Sequence, residues 1–282
     1  MGIMNFIDAA VDRLPVPLYC ACGCNTGKRR PKNEDNFCFD GDYLQDPNNV
    51  KSLGDEVLTM RVGGVDWETG FPRLFGVFDG MGGGDYGEVA SEKAAHIVHD
   101  WLVDRDKIAD DALDEVENSL AALCLLINQE VYHTAFNLGS EQMGSTLAML
   151  YFLSGCVWTV NLGDSRVFRV RNGNMRQLSV DHTDEEEMRA VGIVDRKPML
   201  TQYLGIDPEV FNLEPSVSRR TVKRGDVYLV CSDGLTDMVQ EDRICEILDE
   251  GKSPEECVRQ LIRSALEAGG RDNITTLVIF AG

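Results

Sequence analysis

The sequence predicts an α+β protein whose sheets are antiparallel, and three observations lead there. Four short apolar stretches follow one another at 145–153, 156–162, 165–171 and 175–179, with the tight-turn pairs Ser154-Gly155 and Asn172-Gly173 among them, as in consecutive hairpins. Segments of helical period are grouped between such runs instead of alternating with them, which argues against a parallel βαβ sheet. No repeat, low-complexity tract or linker interrupts the 282 residues, so one domain over 1–282 is the simplest organisation. Two sheets packed face to face, with helices outside, would bury every apolar face that the pattern creates.

Taken in order, residues 1–16 read as a short leader stopped by Pro15 and Pro17. Strands are expected at 18–24 and 36–40. Residues 41–71 are rich in Gly, Asp and Asn and read as a long insertion or extended hairpin, with one strand from Val57 to Val62 inside. Arg73 to Phe78 forms the next strand. Ala90–Val103 and Ala112–Phe136 are helices, the second with Leu113, Val116, Leu120, Leu123, Ile127 and Val131 at helical spacing. After the hairpin strands come a short helix at 183–191 and an irregular stretch, 192–202, that reads as a mobile loop. Strands at 209–221 and 226–231 follow, then helices at 240–249 and 254–268. The last helix places Val258, Leu261, Ile262, Ala265 and Leu266 on one stripe. A strand at 274–280 completes the pattern.

A formal net charge of -20 disfavours nucleic acid and anionic lipid as partners. No apolar run reaches membrane-spanning length. The N-terminus lacks the basic region and apolar core of a signal peptide, and Phe6 stands where a myristoylation signal wants Ser or Thr. A soluble cytoplasmic protein is the expectation. Nine cysteines are an odd number for a disulfide framework and read as small core residues in a reducing compartment. Cys20, Cys22 and Cys24 alternate and would share one strand face. A metal–thiolate site with His96 and His99 is the sharper alternative, although structural zinc normally uses paired Cys-x-x-Cys spacing.

The chemistry lies at strand ends. Arg73–Phe78 runs into Asp79-Gly80, and Asp226–Cys231 runs into Ser232-Asp233-Gly234. Arg271-Asp272-Asn273 precedes the strand at 274–280, and Asn33-Glu34-Asp35 leads into the strand at 36–40. Alone, Asp79 and Asp233 would be turn residues, Glu34-Asp35 solvated charge, and Arg30 one exposed member of Lys28-Arg29-Arg30. Four acidic clusters at strand ends can instead converge on one rim of a sheet. Carboxylates gathered there repel unless a cation joins them, and an oxygen-rich, histidine-poor donor set suits Mg²⁺ or Mn²⁺.

These segments, in order, resemble the metal-dependent serine/threonine protein phosphatases of type 2C, especially the bacterial members. The matching motifs are Gly27–Asp35, Phe78–Gly83, Gly144-Ser145-Thr146, Asn161–Arg166, Asp181-His182-Thr183, Cys231–Leu235 and Arg271–Thr275. The resemblance implies an αββα four-layer sandwich with two central antiparallel sheets and a two-metal site where the sheets open. It implies that Asp79 bridges two divalent cations, Mn²⁺ or Mg²⁺, and that Asp233 and Asp272 hold the first. Glu34 and the Gly80 carbonyl would hold the second, with Asp35 and Asn273 supporting the ligands and Arg30 clamping the substrate phosphate. A metal-bridging hydroxide would attack phosphorus directly in phosphoserine or phosphothreonine. Asp164 and Asp237 mark room for a third cation. The resemblance further implies phosphoprotein substrates supplied by a serine/threonine kinase; a monomer is the expectation. The residue readings leave open a silent phosphopeptide-binding module of the same fold, or a hydrolase of small phosphoesters. The sequence departs from the family at Met81, where many eukaryotic members have a histidine acid. It departs also at Gln202, where bacterial relatives often have Arg, and in the length of 41–71.

Overall fold

The computed structural model describes residues 16–49, 58–65, 72–82, 86–105, 113, 115–193 and 195–282. The expected leader lies outside them except for Val16, as do residues 50–57 and 66–71 of the expected insertion. Among the described residues the strands form two antiparallel sheets. The first runs in the order β10 (Asn174–Gln177), β9 (Arg166–Arg171), β12 (Val227–Cys231), β13 (Ile274–Ala281), β1 (Leu18–Asn25) and β4 (Leu58–Val65). The second runs β11 (Ser216–Thr221), β8 (Cys156–Leu162), β7 (Leu147–Leu153), β5 (Arg73–Met81), β2 (Asp35–Phe39) and β3 (Asp42–Tyr43), and the two-residue β6 (Gly144–Ser145) pairs with β5.

Period-2 alternation makes the layers. In β7, Leu147, Met149 and Tyr151 face one way, onto α1 (Gly87–Arg105) and α2 (Val116–Leu138). Ala148, Leu150 and Phe152 face the other way, into the space between the sheets. In β12, Tyr228 and Val230 enter that same space, while Leu229 and Cys231 pack under α5 (Glu241–Glu250) and α6 (Pro254–Glu267). Each fully buried side chain of this kind stabilises the fold by roughly 1.5–3 kcal/mol. The result is helix, sheet, sheet, helix, the four-layer sandwich that the sequence implied.

The helices end where their residues dictate. Gly139 closes α2 with φ 68°, its N–H reaching Ala135 and Phe136 carbonyls. Ser253 caps α6 by accepting from Glu256 N–H at 3.2 Å, with Pro254 at the first turn. Three expectations need correction. The strand expected over 209–221 is only Ser216–Thr221, because Val210 and Phe211 N–H close a turn on the Asp207 carbonyl and Pro215 has no ladder donor. Asp233–Thr236 is a short helix, α4, where only a turn was read. The stretch after α3 (Glu185–Ala190), expected to be a mobile loop, is held at its C-terminal half by Met199 N–H on Asp184 Oδ1 and Thr201 N–H on the His182 carbonyl. Within 41–71, β4 is an edge strand paired with β1 in the first sheet, and β3 pairs with β2 at the edge of the second.

Candidate active site

Both sheets send acidic residues to one cleft of about 500 Å³. β2 and β5 pair with Asp35 opposite Asp79, and Gly80 N–H donates to the Glu34 carbonyl at 3.1 Å. β12 delivers Asp233 from the first sheet, and Asp272 precedes β13 beside it. Asp164 stands at the start of β9. Arg30, Glu34, Asp79, Gly80, Met81, Asp164, Asp233, Asp272 and Asn273 all line the cleft. Asp35 lies behind it, buried, accepting from Ser232 Oγ at 2.8 Å. Asp237 follows α4 on the exposed rim.

Local chemistry fixes these positions. Asn273 Oδ1 accepts Glu34 N–H at 2.7 Å, and its Nδ2 donates to the carbonyls of Thr26 and Lys32 at 2.9 and 3.0 Å. One buried amide therefore staples the whole 26–34 loop, which carries Arg30 and Glu34, to the start of β13. Thr146 grips Asp79 from both sides: its Oγ1 accepts Asp79 N–H at 3.0 Å, and its own N–H donates to the Asp79 carbonyl at 2.9 Å. The glycine at 80 is not in the left-handed region. It is required by close approach, since a Cβ there would stand 2.0 Å from the Gly87 carbonyl oxygen.

The electrostatics are strained. Burial, then the negative charge of Asp35, Asp233, Asp164 and Asp272, pushes the Asp79 carboxyl well above the ordinary range. Burial likewise raises Asp35 to about 7 and, with Asp233, raises Asp164 to about 7. Burial also raises Asp233, opposed by the nearby Lys197 ammonium. Two side-chain cations relieve part of this charge. Arg30 donates to Asp272 Oδ2 at 2.6 Å, and Lys197 Nζ donates to Asp233 Oδ2 at 2.5 Å and Asp237 Oδ2 at 3.1 Å.

The remaining oxygens suit hard divalent ions. Glu34 Oε1, Asp35 Oδ1 and Asp233 Oδ1 are buried without a hydrogen bond, a costly condition that a bound cation removes. Glu34 Oε1 does lie 3.3 Å from Lys32 Nζ, whose charge attracts it. The Glu34 carboxylate and the Gly80 carbonyl oxygen each lie 2.9 Å from the point where a Cβ on Gly87 would stand. Two oxygen donors thus share a small space that any side chain at 87 would fill. Among the described residues no three His, Cys, Asp or Glu side chains are already closed into a cage, and Asp233 and Asp272 accept from Lys197 and Arg30.

The profile of the protein phosphatase 2C family matches residues 67–268, more than half of the chain. The chain belongs to the protein phosphatase 2C family. It is 33% identical to the serine/threonine phosphatase stp of Listeria innocua over 72% of this chain and 82% of that protein. Among solved structures it is similar to PppA, a key regulatory component of T6SS in Pseudomonas aeruginosa, with TM-score 0.73, 27% identity and coverage of 95% and 99% of the two chains. It is also similar to the catalytic domain of the phosphatase PstP in complex with two manganese ions, with TM-score 0.71, 26% identity and coverage of 94% and 98%.

In this family member the remaining sequence candidates have other places. His182 Nε2 lies 3.0 Å from Ser216 Oγ, and burial lowers its pKa; it braces β11. His96 stacks on Tyr43, and His99 Nδ1 lies 2.6 Å from the Gly41 carbonyl oxygen. Cys20, Cys22 and Cys24 face the core between the sheets, where burial raises all three thiols. They are packing residues, and the metal–thiolate alternative has no histidine beside it. Nothing in the sequence marks Lys197 or Gly87, and Ser232 and Thr146 fall within matched motifs that assign them no task.

Proposed function

We propose that this protein is a metal-dependent serine/threonine phosphatase that hydrolyses phosphoserine and phosphothreonine in proteins. One observation carries the reading: carboxylates from two sheets face one cleft with buried, unpartnered oxygens, beside a guanidinium that can reach a phosphate. Asp79, Asp233 and Asp272 would hold one Mn²⁺ or Mg²⁺, and Asp79, Glu34 and the Gly80 carbonyl a second. When bound, two such cations lower the pKa of water and neutralise phosphoryl oxygens, which a phosphate monoester needs to react at a useful rate.

The chain's own residues do the rest. Arg30, half-exposed on its loop, exchanges Asp272 for phosphate oxygens, to which a guanidinium donates in a planar fork. Asn273 and Thr146 hold Glu34 and Asp79 so that little reorganisation is needed. Asp35 keeps Ser232, and thereby the start of α4, in register with β13. Met81 lines the cleft with no proton to give, so water or another group protonates the leaving Ser or Thr oxygen. No serine or cysteine nucleophile takes part.

The substrates are phosphoproteins, supplied by a serine/threonine kinase. The acidic surface and the nine free cysteines support a monomer in a reducing cytoplasm that engages neither nucleic acid nor membrane. Among the described residues no helix is long and apolar enough to cross a membrane. The whole of 1–282 acts as one catalytic domain. The test is hydrolysis of a phosphothreonine peptide and of p-nitrophenyl phosphate with Mn²⁺, Mg²⁺ or EDTA, beside Asp233→Ala. Mn²⁺-stimulated peptide turnover that vanishes in EDTA and in the variant is expected; turnover persisting in EDTA would overturn the reading.

A further inference from the structure

We propose that Lys197 is a built-in cation of this site: its ammonium, fixed between Asp233 and Asp237, takes the place of a third divalent ion, so that the protein binds two. The proposal rests on the metal-dependent reading above and concerns how many ions these carboxylates accept.

The segment around Lys197 is built to deliver it. Asp184, just before α3, binds the chain on both sides of the lysine: Arg196 donates to Asp184 Oδ2, and Met199 N–H donates to Asp184 Oδ1 at 2.7 Å. Asp184 N–H returns a bond to the Met199 carbonyl at 3.0 Å, and Thr201 N–H reaches the His182 carbonyl at 2.9 Å. Thr183 and Leu200 form a bridge in the same place. Pro198 bars Lys197 from helical backbone and favours an extended one. A four-carbon stem from this anchored position lays its ammonium 2.5 Å from Asp233 Oδ2 and 3.1 Å from Asp237 Oδ2.

Asp233 thereby divides its labour. Oδ2 serves Lys197, while Oδ1, buried and without a hydrogen bond, remains for a divalent ion shared with Asp79 and Asp272. Asp164 lines the same cleft as Lys197 and lies within range of its charge. A third ion held by Asp164, Asp233 and Asp237 would have to evict the ammonium or sit against it, and like charges at that range repel. A compact ammonium can occupy such a position, whereas a guanidinium needs a planar fork of acceptors.

The experiment counts Mn²⁺ by electron paramagnetic resonance of the free ion, with isothermal titration as a second readout. It compares the wild type, Lys197→Met, Lys197→Gln and Lys197→Met combined with Asp164→Asn. The side chain is half-exposed, and thermal melts check that each variant folds. Expected are two ions in the wild type, three in each lysine variant with the third at least tenfold tighter than any weak binding to wild type, and two again in the double variant. Three ions in the wild type would overturn the proposal. So would lysine variants that still bind two, or a gained ion that persists without Asp164. A wild type that binds no Mn²⁺ would instead sink the phosphatase reading itself, and the proposal with it.

Discussion

The two ends of β12 carry two buried aspartates with opposite fates. Asp226, before the strand, is fully buried and fully answered. Arg171 donates from Nε at 2.5 Å and from its terminal nitrogen at 2.6 Å, Lys223 N–H donates at 2.9 Å, and Tyr228 Oη–H at 3.0 Å. Although burial works against it, these donors hold its pKa below the ordinary range. Asp233, after the strand, has one oxygen on Lys197 and the other unpartnered, and its pKa is raised. Seven positions apart and flanking one strand, the first carboxylate is part of the fold and the second is available for chemistry. Burial alone does not distinguish them; the count of donors does.

The largest expected effect breaks the unanswered side. Asp79→Asn should lower Mn²⁺-dependent peptide hydrolysis by at least about 10²–10³-fold, the scale for losing one well-placed electrostatic group. The same variant in EDTA should melt at an equal or higher temperature than wild type, because a crowded buried charge is gone. Near-normal turnover would show that the bridge is misassigned.

Next comes the answered side. Asp226→Asn should destabilise the fold by about 3 kcal/mol, since it leaves Arg171 without its charge partner, while the number of bound Mn²⁺ ions stays unchanged. Urea denaturation beside metal titration separates the two quantities, and lost metal binding without lost stability would invert the comparison.

A smaller effect follows from protons. Asp35, with a folded pKa near 7, binds its proton more tightly folded than unfolded. Its contribution is therefore fully present below the unfolded pKa and lost as pH rises through the folded one. Stability in EDTA should fall as pH rises from about 4 to 7. Asp226, with a lowered pKa, contributes above the ordinary carboxylate range and loses that contribution only as pH falls through its folded value. Melting temperature against pH in EDTA, for wild type and Asp226→Asn, resolves the two slopes, and a flat profile would refute both. The smallest effect is Arg30→Ala, which should raise KM about tenfold with kcat less affected; an unchanged KM would remove Arg30 from the phosphate.

Much of this was legible in the sequence because its signals are local. Asp79 and Asp233 follow apolar runs, and Asp272 and Glu34 precede them, so each could be placed at a strand end and the ends grouped. Asn273 could be named, but its three bonds to residues more than 230 positions away could not be read. Gly87 gave no sign, because its necessity lies in a contact with Glu34 and Gly80 across the cleft. Lys197 sat in a stretch that read as a mobile loop. Its anchor, Asp184, is a helix-flanking acid like many others, and only tertiary structure brings Arg196 and Met199 onto it. The strand expected at 209–221 is shortened for a local reason, the turn that Val210 and Phe211 N–H close on the Asp207 carbonyl before Pro215.

The sequence by itself determined the alternation that makes two sheets, the helical stripes that cover them, and the acidic residues at strand ends, because each depends on neighbours a few positions away. Tertiary structure alone decided which carboxylate oxygens would find donors and which would be left for cations. That choice depends on groups remote in the chain: Arg171 for Asp226, Lys197 for Asp233, Arg30 for Asp272. Desolvation and pairing act through space, and only the folded chain fixes which charges meet.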